Sequence, residues 1–251
     1  MIPVGDDNTD RRTKPFVTWL LIAVNVIVFV ALQGFGSNLR FTYTYSTVPA
    51  EILTGKDVVT PDRTAVSPSS GRRIQVPGLQ PTPVAPWLTI LFSMFMHAGI
   101  AHILGNMLYL FIFGDNVEDR LGHLRYLLFY LFCGAAGSLS HVYATLWTGG
   151  NLMVPSLGAS GAISGVLGGY LLLFPRKRVR VLMFYSIVEV PALIAVGLWF
   201  VFQVVNGLGY LGGGGSGGGV AYAAHIGGFL AGLVTVKLWG LGRRQPRPRY
   251  R

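Results

Sequence analysis

The sequence predicts an all-α polytopic membrane protein, a bundle of six transmembrane helices with both termini cytoplasmic, and three observations predict it. The chain of 251 residues is 51% hydrophobic and 12% charged, against about 25% charged for a soluble domain, and its mean hydropathy is +0.52. Six apolar windows of roughly membrane-spanning length, about 20 residues each, run over 16–33, 97–114, 126–147, 157–174, 191–210 and 220–239. The basic residues fall on alternate loops. Arg11, Arg12 and Lys14 precede the first window, Arg120 and Arg125 follow the second, and Arg176, Lys177, Arg178 and Arg180 follow the fourth. Arg243, Arg244, Arg247, Arg249 and Arg251 form the tail, and with Lys237 these are 15 of the 20 Lys and Arg. An excess of Lys and Arg marks cytoplasmic loops, which places both ends inside. The net charge of +10 therefore reads as a topology signal, and no nucleic-acid partner is expected.

The chain divides into a cytoplasmic N-terminal segment 1–15, a membrane domain 16–240 that includes a long outer loop 34–86, and a basic cytoplasmic tail 241–251. The first window follows three basic residues, as a secretory signal would, but no A-x-A-like cleavage site follows it, so it reads as an uncleaved anchor. The outer loop is rich in Pro, Ser, Thr and Gly without a helical period; it reads as irregular, with a short interfacial helix before Trp87. Residues 178–190 read as an interfacial segment, with Pro191 in the first turn of the fifth helix and Glu189 capping that helix. The glycine run 211–219 reads as an outer loop. No internal repeat is evident, which argues against a transporter built from inverted halves. Cys133 is the only cysteine, which excludes an intramolecular disulfide and any Cys-based zinc site.

Polar side chains inside membrane spans are costly, so the few present are informative. They include His97, His102, Asn106, His141, Ser160, Ser164 and His225. Ser160 lies 14 residues from Phe174 and His225 lies 14 from Trp239, at the cytoplasmic ends of their spans; at about 1.5 Å per residue both sit ~21 Å above the inner face. His102, 13 residues above Asp115 in a span of opposite polarity, comes to ~20 Å. Asn106 follows it at i+4 on the same helix face. A serine hydroxyl becomes a nucleophile when a neighbouring base takes its proton, and histidine can take it and return it to a leaving amine. The Asn106 amide, a His102 ring N–H and the Ser160 backbone N–H could hold an oxyanion. No Asp or Glu lies in the outer half of any span, so a Ser-His-Asp triad cannot be built there and a dyad remains. Gly161, Ser164, Gly165 and Gly168 on the fourth span, and Ala224, Gly228 and Gly232 on the sixth, form small-xxx-small pairs that let the two helices approach closely. Cys133 and His141 are eight residues apart, about 80° out of phase on a helix, and do not pair.

These residues resemble the rhomboid intramembrane serine protease family, of the bacterial six-helix type. His97-Ala-Gly-Ile-Ala-His102-Ile-Leu-Gly-Asn106 matches its HxxxxHxxxN pattern, Gly158-Ala159-Ser160-Gly161 its GxSG motif, and Ala224-His225-Ile226-Gly227-Gly228 its AHxxG pattern. The resemblance covers about residues 87–240, and Gly114 to Gly122 resembles the family's turn after the second span. It implies Ser160 as nucleophile, His225 as general base, and His102, Asn106 and the Ser160 N–H as the oxyanion hole; it gives His97 a structural role. It implies single-span transmembrane substrates in a lipid bilayer, no cofactor, no metal, and location in the bacterial plasma membrane. Trp199 and Phe202 fall in the helix that the family places beside substrate access. Two departures stand out. Ser164 occupies a position where many members carry an aromatic residue against the histidine ring, leaving the orientation of His225 open, and the Trp-Arg pair of many first outer loops is not evident. The alternatives are an inactive rhomboid-like protein that binds membrane clients, against which both Ser160 and His225 are present, and a metal transporter using His97, His102 and His225, against which no acidic ligand shares their layer. The oligomeric state is not legible.

Overall fold

The computed structural model describes residues 2–66, 71, 73–211 and 222–241. Its frame is helical. α1 (Phe16–Ile27) continues through a π-helical turn to Leu32; α5 (Ile100–Leu121), α6 (His123–Trp147), α7 (Ser160–Leu173), α8 (Ala192–Leu211) and α9 (Tyr222–Trp239) complete the bundle. Among the described residues three helices are long and apolar enough to cross a membrane, within Ile100–Leu121, His123–Trp147 and Ala192–Gly209, while Phe16–Leu32 and Ser160–Leu173 are shorter apolar helices. Leu193, Leu198, Val201, Val205 and Leu208 on α8, and Trp19, Leu20 and Ile27 on α1, are exposed. Apolar side chains facing outward along whole helices suit a lipid surrounding.

α7 is the hub. Every residue from Gly161 to Tyr170 is buried, and the helix packs against α5, α6, α8 and α9. Glycines make this possible. A β-carbon at Gly228 would lie 2.0 Å from the Gly161 carbonyl oxygen, one at Gly232 2.0 Å from that of Gly165, and one at Gly168 2.2 Å from that of Phe229. The backbones of α7 and α9 therefore touch along the faces that the small-residue spacing marks.

The all-α expectation requires correction, because two small sheets are present. β1 (Ile2–Asp6), β4 (Arg178–Met183) and β5 (Ser186–Pro191) form a three-stranded antiparallel sheet in the order β1-β4-β5. The interfacial segment read over 178–190 is thus a β-hairpin, and Glu189 stands in a strand opposite Arg180 rather than capping α8. The signal was Arg-Val-Arg-Val: in β4, Val179 and Val181 are buried in the main core while Arg178 and Arg180 are exposed, the period-2 alternation of a half-buried strand. Segment 34–86, read as irregular, is likewise structured: it holds α2 (Leu39–Tyr45), α3 (Pro49–Thr54) and a hairpin of β2 (Arg63–Val66) and β3 (Arg73–Val76), and at its end a 3-10 turn, Pro86–Leu88, leads into α4 (Thr89–Ser93). Asn38 caps α2 by accepting from the Phe41 N–H. The glycine run beyond Leu211 and the basic tail beyond Leu241 lie outside the described residues.

Candidate active site

Four elements converge on Ser160. Ala159, just before α7, is fully buried, so Ser160 opens its helix from inside the bundle, where the first N–H groups of a helix have no intrahelical acceptor. The preceding loop is braced by the segment that carries α3 and by α4. Thr47 and Ser156 exchange backbone hydrogen bonds, Ala50 N–H donates to the Leu152 carbonyl, and Gly158 N–H donates to that of Ser93.

Ser160 Oγ lies 2.8 Å from His225 Nε2, and the two residues come from α7 and α9 across the glycine-lined contact. His225 Nδ1 lies 2.8 Å from Gln203 Oε1 on α8. Position 164 carries no ring, and Ser164 Oγ donates instead to the Ser160 carbonyl at 2.6 Å. The aromatic neighbours of His225 come from other places: Trp199 on α8 at 6.1 Å and Tyr222 on α9 at 6.5 Å between ring centroids.

His102 and Asn106, both on α5, approach from the other side. Ala98 N–H donates to His102 Nδ1 at 3.3 Å, which leaves the ring proton on Nε2. A β-carbon on Gly158 would sit 3.0 Å from His102 Nε2 and 3.5 Å from Ser160 Oγ. Gly158 also holds φ +133°, which side-chain-bearing residues avoid. Glycine there lets the imidazole come close to the backbone beside Ser160, because a β-carbon would lie only 2.9 Å from His102 Cε1. Asn106 Nδ2 is buried without a hydrogen-bond partner among the described residues, an arrangement that costs about 1–3 kcal/mol unless something accepts from it. His97 is fully buried, its backbone N–H donating to Gln33 Oε1 and its carbonyl accepting from Gln33 Nε2. Its ring packs edge-on to His102 at 5.1 Å.

The structure thus gathers Ser160, His225, His102 and Gly158 around one space, with Asn106 one turn along α5. Gln203 was missed by the sequence reading. A signal existed: it lies 12 residues beyond Pro191, ~18 Å along α8, close to the layer assigned to Ser160. A cleft of about 340 Å³ between α5 and α8, lined by Tyr109, Trp199, Phe202 and Gln203 and floored by Pro3 and Val181, reaches Gln203 from the side.

An apolar-surfaced helical bundle with a hydrogen-bonded Ser–His pair in its interior defines a class of membrane-embedded protein. The chain belongs to the rhomboid family: the Rhomboid domain matches residues 85–241, more than half of its length, and it is an integral membrane protein. It is 33% identical over 156 residues to Rhomboid protein 1, mitochondrial, of Saccharomyces cerevisiae, covering 62% of this chain and 43% of that one. It is 34% identical over 159 residues to the rhomboid protease GluP of Bacillus subtilis, covering 62% of this chain and 26% of that one. To the rhomboid protease AarA of Providencia stuartii it is 27% identical over 166 residues, 59% of this chain and 54% of that one. The chain therefore spans between about a quarter and about half of these relatives.

Proposed function

We propose that this chain is an intramembrane serine endopeptidase that cleaves single-span membrane proteins near the outer face of a bacterial plasma membrane, from a six-span bundle with cytoplasmic termini. The observation that carries the reading is the 2.8 Å contact between Ser160 Oγ and His225 Nε2, with the His102 ring close by across Gly158. His225 Nε2 takes the Ser160 proton as Oγ attacks the scissile carbonyl. The oxyanion is met by His102 Nε2–H, the Ser160 N–H and the Asn106 amide. The same imidazole then protonates the leaving amine, and water, activated by His225, releases the acyl group. The chemistry calls for no cofactor. The relatives named as proteases support the reaction class. The α5–α8 cleft offers a lateral approach for a substrate helix, with Trp199 and Phe202 on its α8 wall.

The test is cleavage of a single-span reporter by the purified protein in detergent. Ser160→Ala and His225→Ala should each abolish it while leaving the protein folded. Residues that act as one unit are not additive, so the double variant should be hardly worse than either single. Robust cleavage by Ser160→Ala would end this reading.

A further inference from the structure

His225 faces a problem that the Ser160 contact does not solve. To accept the Ser160 proton, Nε2 must carry its lone pair, so the neutral ring must hold its proton on Nδ1; the other tautomer places a proton on both sides of the contact. Serine hydrolases commonly settle this with a carboxylate that accepts from Nδ1. Here, among the described residues, the titratable side chains acting on His225 are His102 of α5 and His141 of α6, and neither is acidic. No aromatic side chain on α7 orients the ring, because position 164 is serine.

We infer that Gln203 of α8 is the positioning residue of the catalytic histidine: its side-chain carbonyl accepts the His225 Nδ1 proton and holds the ring in the tautomer and rotation that aim the Nε2 lone pair at Ser160. The inference rests on the protease reading above and deepens it. Gln203 Oε1 lies 2.8 Å from Nδ1, as Nε2 lies 2.8 Å from Ser160 Oγ, so both ring nitrogens are engaged and the ring cannot turn without breaking both contacts. The Gln203 side chain is itself buried, 5% exposed, and Trp199, one turn earlier on the same helix, packs against the ring at 6.1 Å. A neutral amide suits this place. A carboxylate buried among apolar helices without a cationic partner carries a large desolvation penalty, whereas an amide carbonyl offers an acceptor uncharged. During proton transfer the amide also stabilises the imidazolium through its dipole, more weakly than a carboxylate would. The machinery then spans three helices, α7 for the nucleophile, α9 for the base and α8 for its orientation, and any movement of α8 that withdraws Gln203 lowers the competence of the base.

The experiment uses the full chain in detergent micelles and reads the ring directly. With ¹⁵N-histidine labelling and a His225→Ala reference to assign the signal, wild type should show His225 protonated on Nδ1 at neutral pH. Gln203→Met, which preserves length and removes the strong acceptor, should mix the tautomers and lower reporter kcat by about 10- to 100-fold with KM nearly unchanged. That loss is smaller than the ~10⁴ caused by replacing the ionised orienting aspartate of a serine-protease triad with asparagine, because the lost partner is neutral. Gln203→Glu restores a strong acceptor and adds charge. It should recover more activity than Gln203→Met, and the acid limb of its kcat/KM profile should move to higher pH, since a carboxylate favours the imidazolium. A merely structural glutamine would move neither tautomer nor pH limb. A wild-type ring protonated on Nε2, or a Gln203→Met protein with unchanged tautomer and turnover, overturns the inference. Thermal unfolding of each variant separates misfolding from misorientation. Should Ser160→Ala still cleave, the protease reading fails on its own, while the tautomer measurement still decides the role of Gln203.

Discussion

The two ends of the bundle treat their buried polar groups in opposite ways. At the end away from Ser160, the buried carboxylates each accept several hydrogen bonds, although Tyr126 Oη beside Thr18 has no partner among the described residues. Glu118, fully buried on α5, accepts from the Val17 and Thr18 N–H groups and from Thr18 Oγ, and pairs with His123 Nδ1 at 2.6 Å. α1 has no side-chain cap of its own, so a glutamate from another helix serves as one. Asp119 accepts from the Arg12 and Thr13 N–H groups and Thr13 Oγ. Asp6 of β1 accepts from Tyr170, Asn116 and Asn8. At the Ser160 end a donor is left open: Asn106 Nδ2 is buried with no partner among the described residues. Polar groups that hold a fold are mostly satisfied within it, whereas on the proposed protease reading the Asn106 amide waits for substrate and costs stability meanwhile.

Substitutions at the two ends sharpen this contrast. The largest effect falls where packing and chemistry meet. Gly228→Val would force a β-carbon to within 2.0 Å of the Gly161 carbonyl oxygen, parting α7 from α9; a displacement of ~1 Å in a reacting pair costs about 100-fold in rate. Reporter cleavage and the midpoint of thermal unfolding should both fall. Gly240→Val is the control, since its β-carbon would meet nothing closer than 3.6 Å. Full activity in Gly228→Val would mean that the tight α7–α9 contact is not required.

Asn106→Ala separates function from stability. Turnover should drop by about 10- to 1,000-fold, as for the loss of an oxyanion donor, with unfolding unchanged or slightly improved because a buried unpartnered donor is removed. A pure rise in KM would place Asn106 in a binding subsite instead.

Glu118→Ala should do the reverse. Hydrogen bonds to a charged acceptor are worth about 1.5–3 kcal/mol each, so denaturant unfolding should show a loss of a few kcal/mol, while kcat of the folded fraction stays near that of wild type. If turnover fell instead with stability intact, the division between the two ends would be wrong.

The smallest effect is pH-dependent. Burial, reinforced by the charge of Asp115, pushes the Asp6 carboxyl from 3.8 up to about 7 against the opposing Tyr170, Asn116 and Lys177. Because this folded value lies above the unfolded one, the folded state binds more protons between them. The Asp6 contribution to stability is therefore greatest at low pH and declines as pH rises from about 4 to about 7. The difference in melting temperature between wild type and Asp6→Asn should shrink or change sign over that window and level off above it; a flat difference would show that Asp6 titrates normally.

What the sequence determined by itself was local in kind. Apolar window length marks a membrane protein because hydrocarbon thickness fixes how many residues a helix needs. Motif spacing brings His102 and Asn106 onto one face of α5, and small residues at i, i+3 and i+7 mark the face of α9 that carries His225, since helical geometry makes such relations a matter of counting. Tertiary structure decided what depends on residues distant along the chain. β1 finds β4 across more than 170 residues, and although Arg-Val-Arg-Val carries a strand's alternation, nothing local names its partner. The outer loop looked irregular because its order comes from short elements and from contacts such as Thr47 with Ser156. Gln203 sits 22 residues before His225 on another helix, and only the rotation of α8 about its axis, set by packing against α7 and α9, turns its amide toward the imidazole instead of toward lipid.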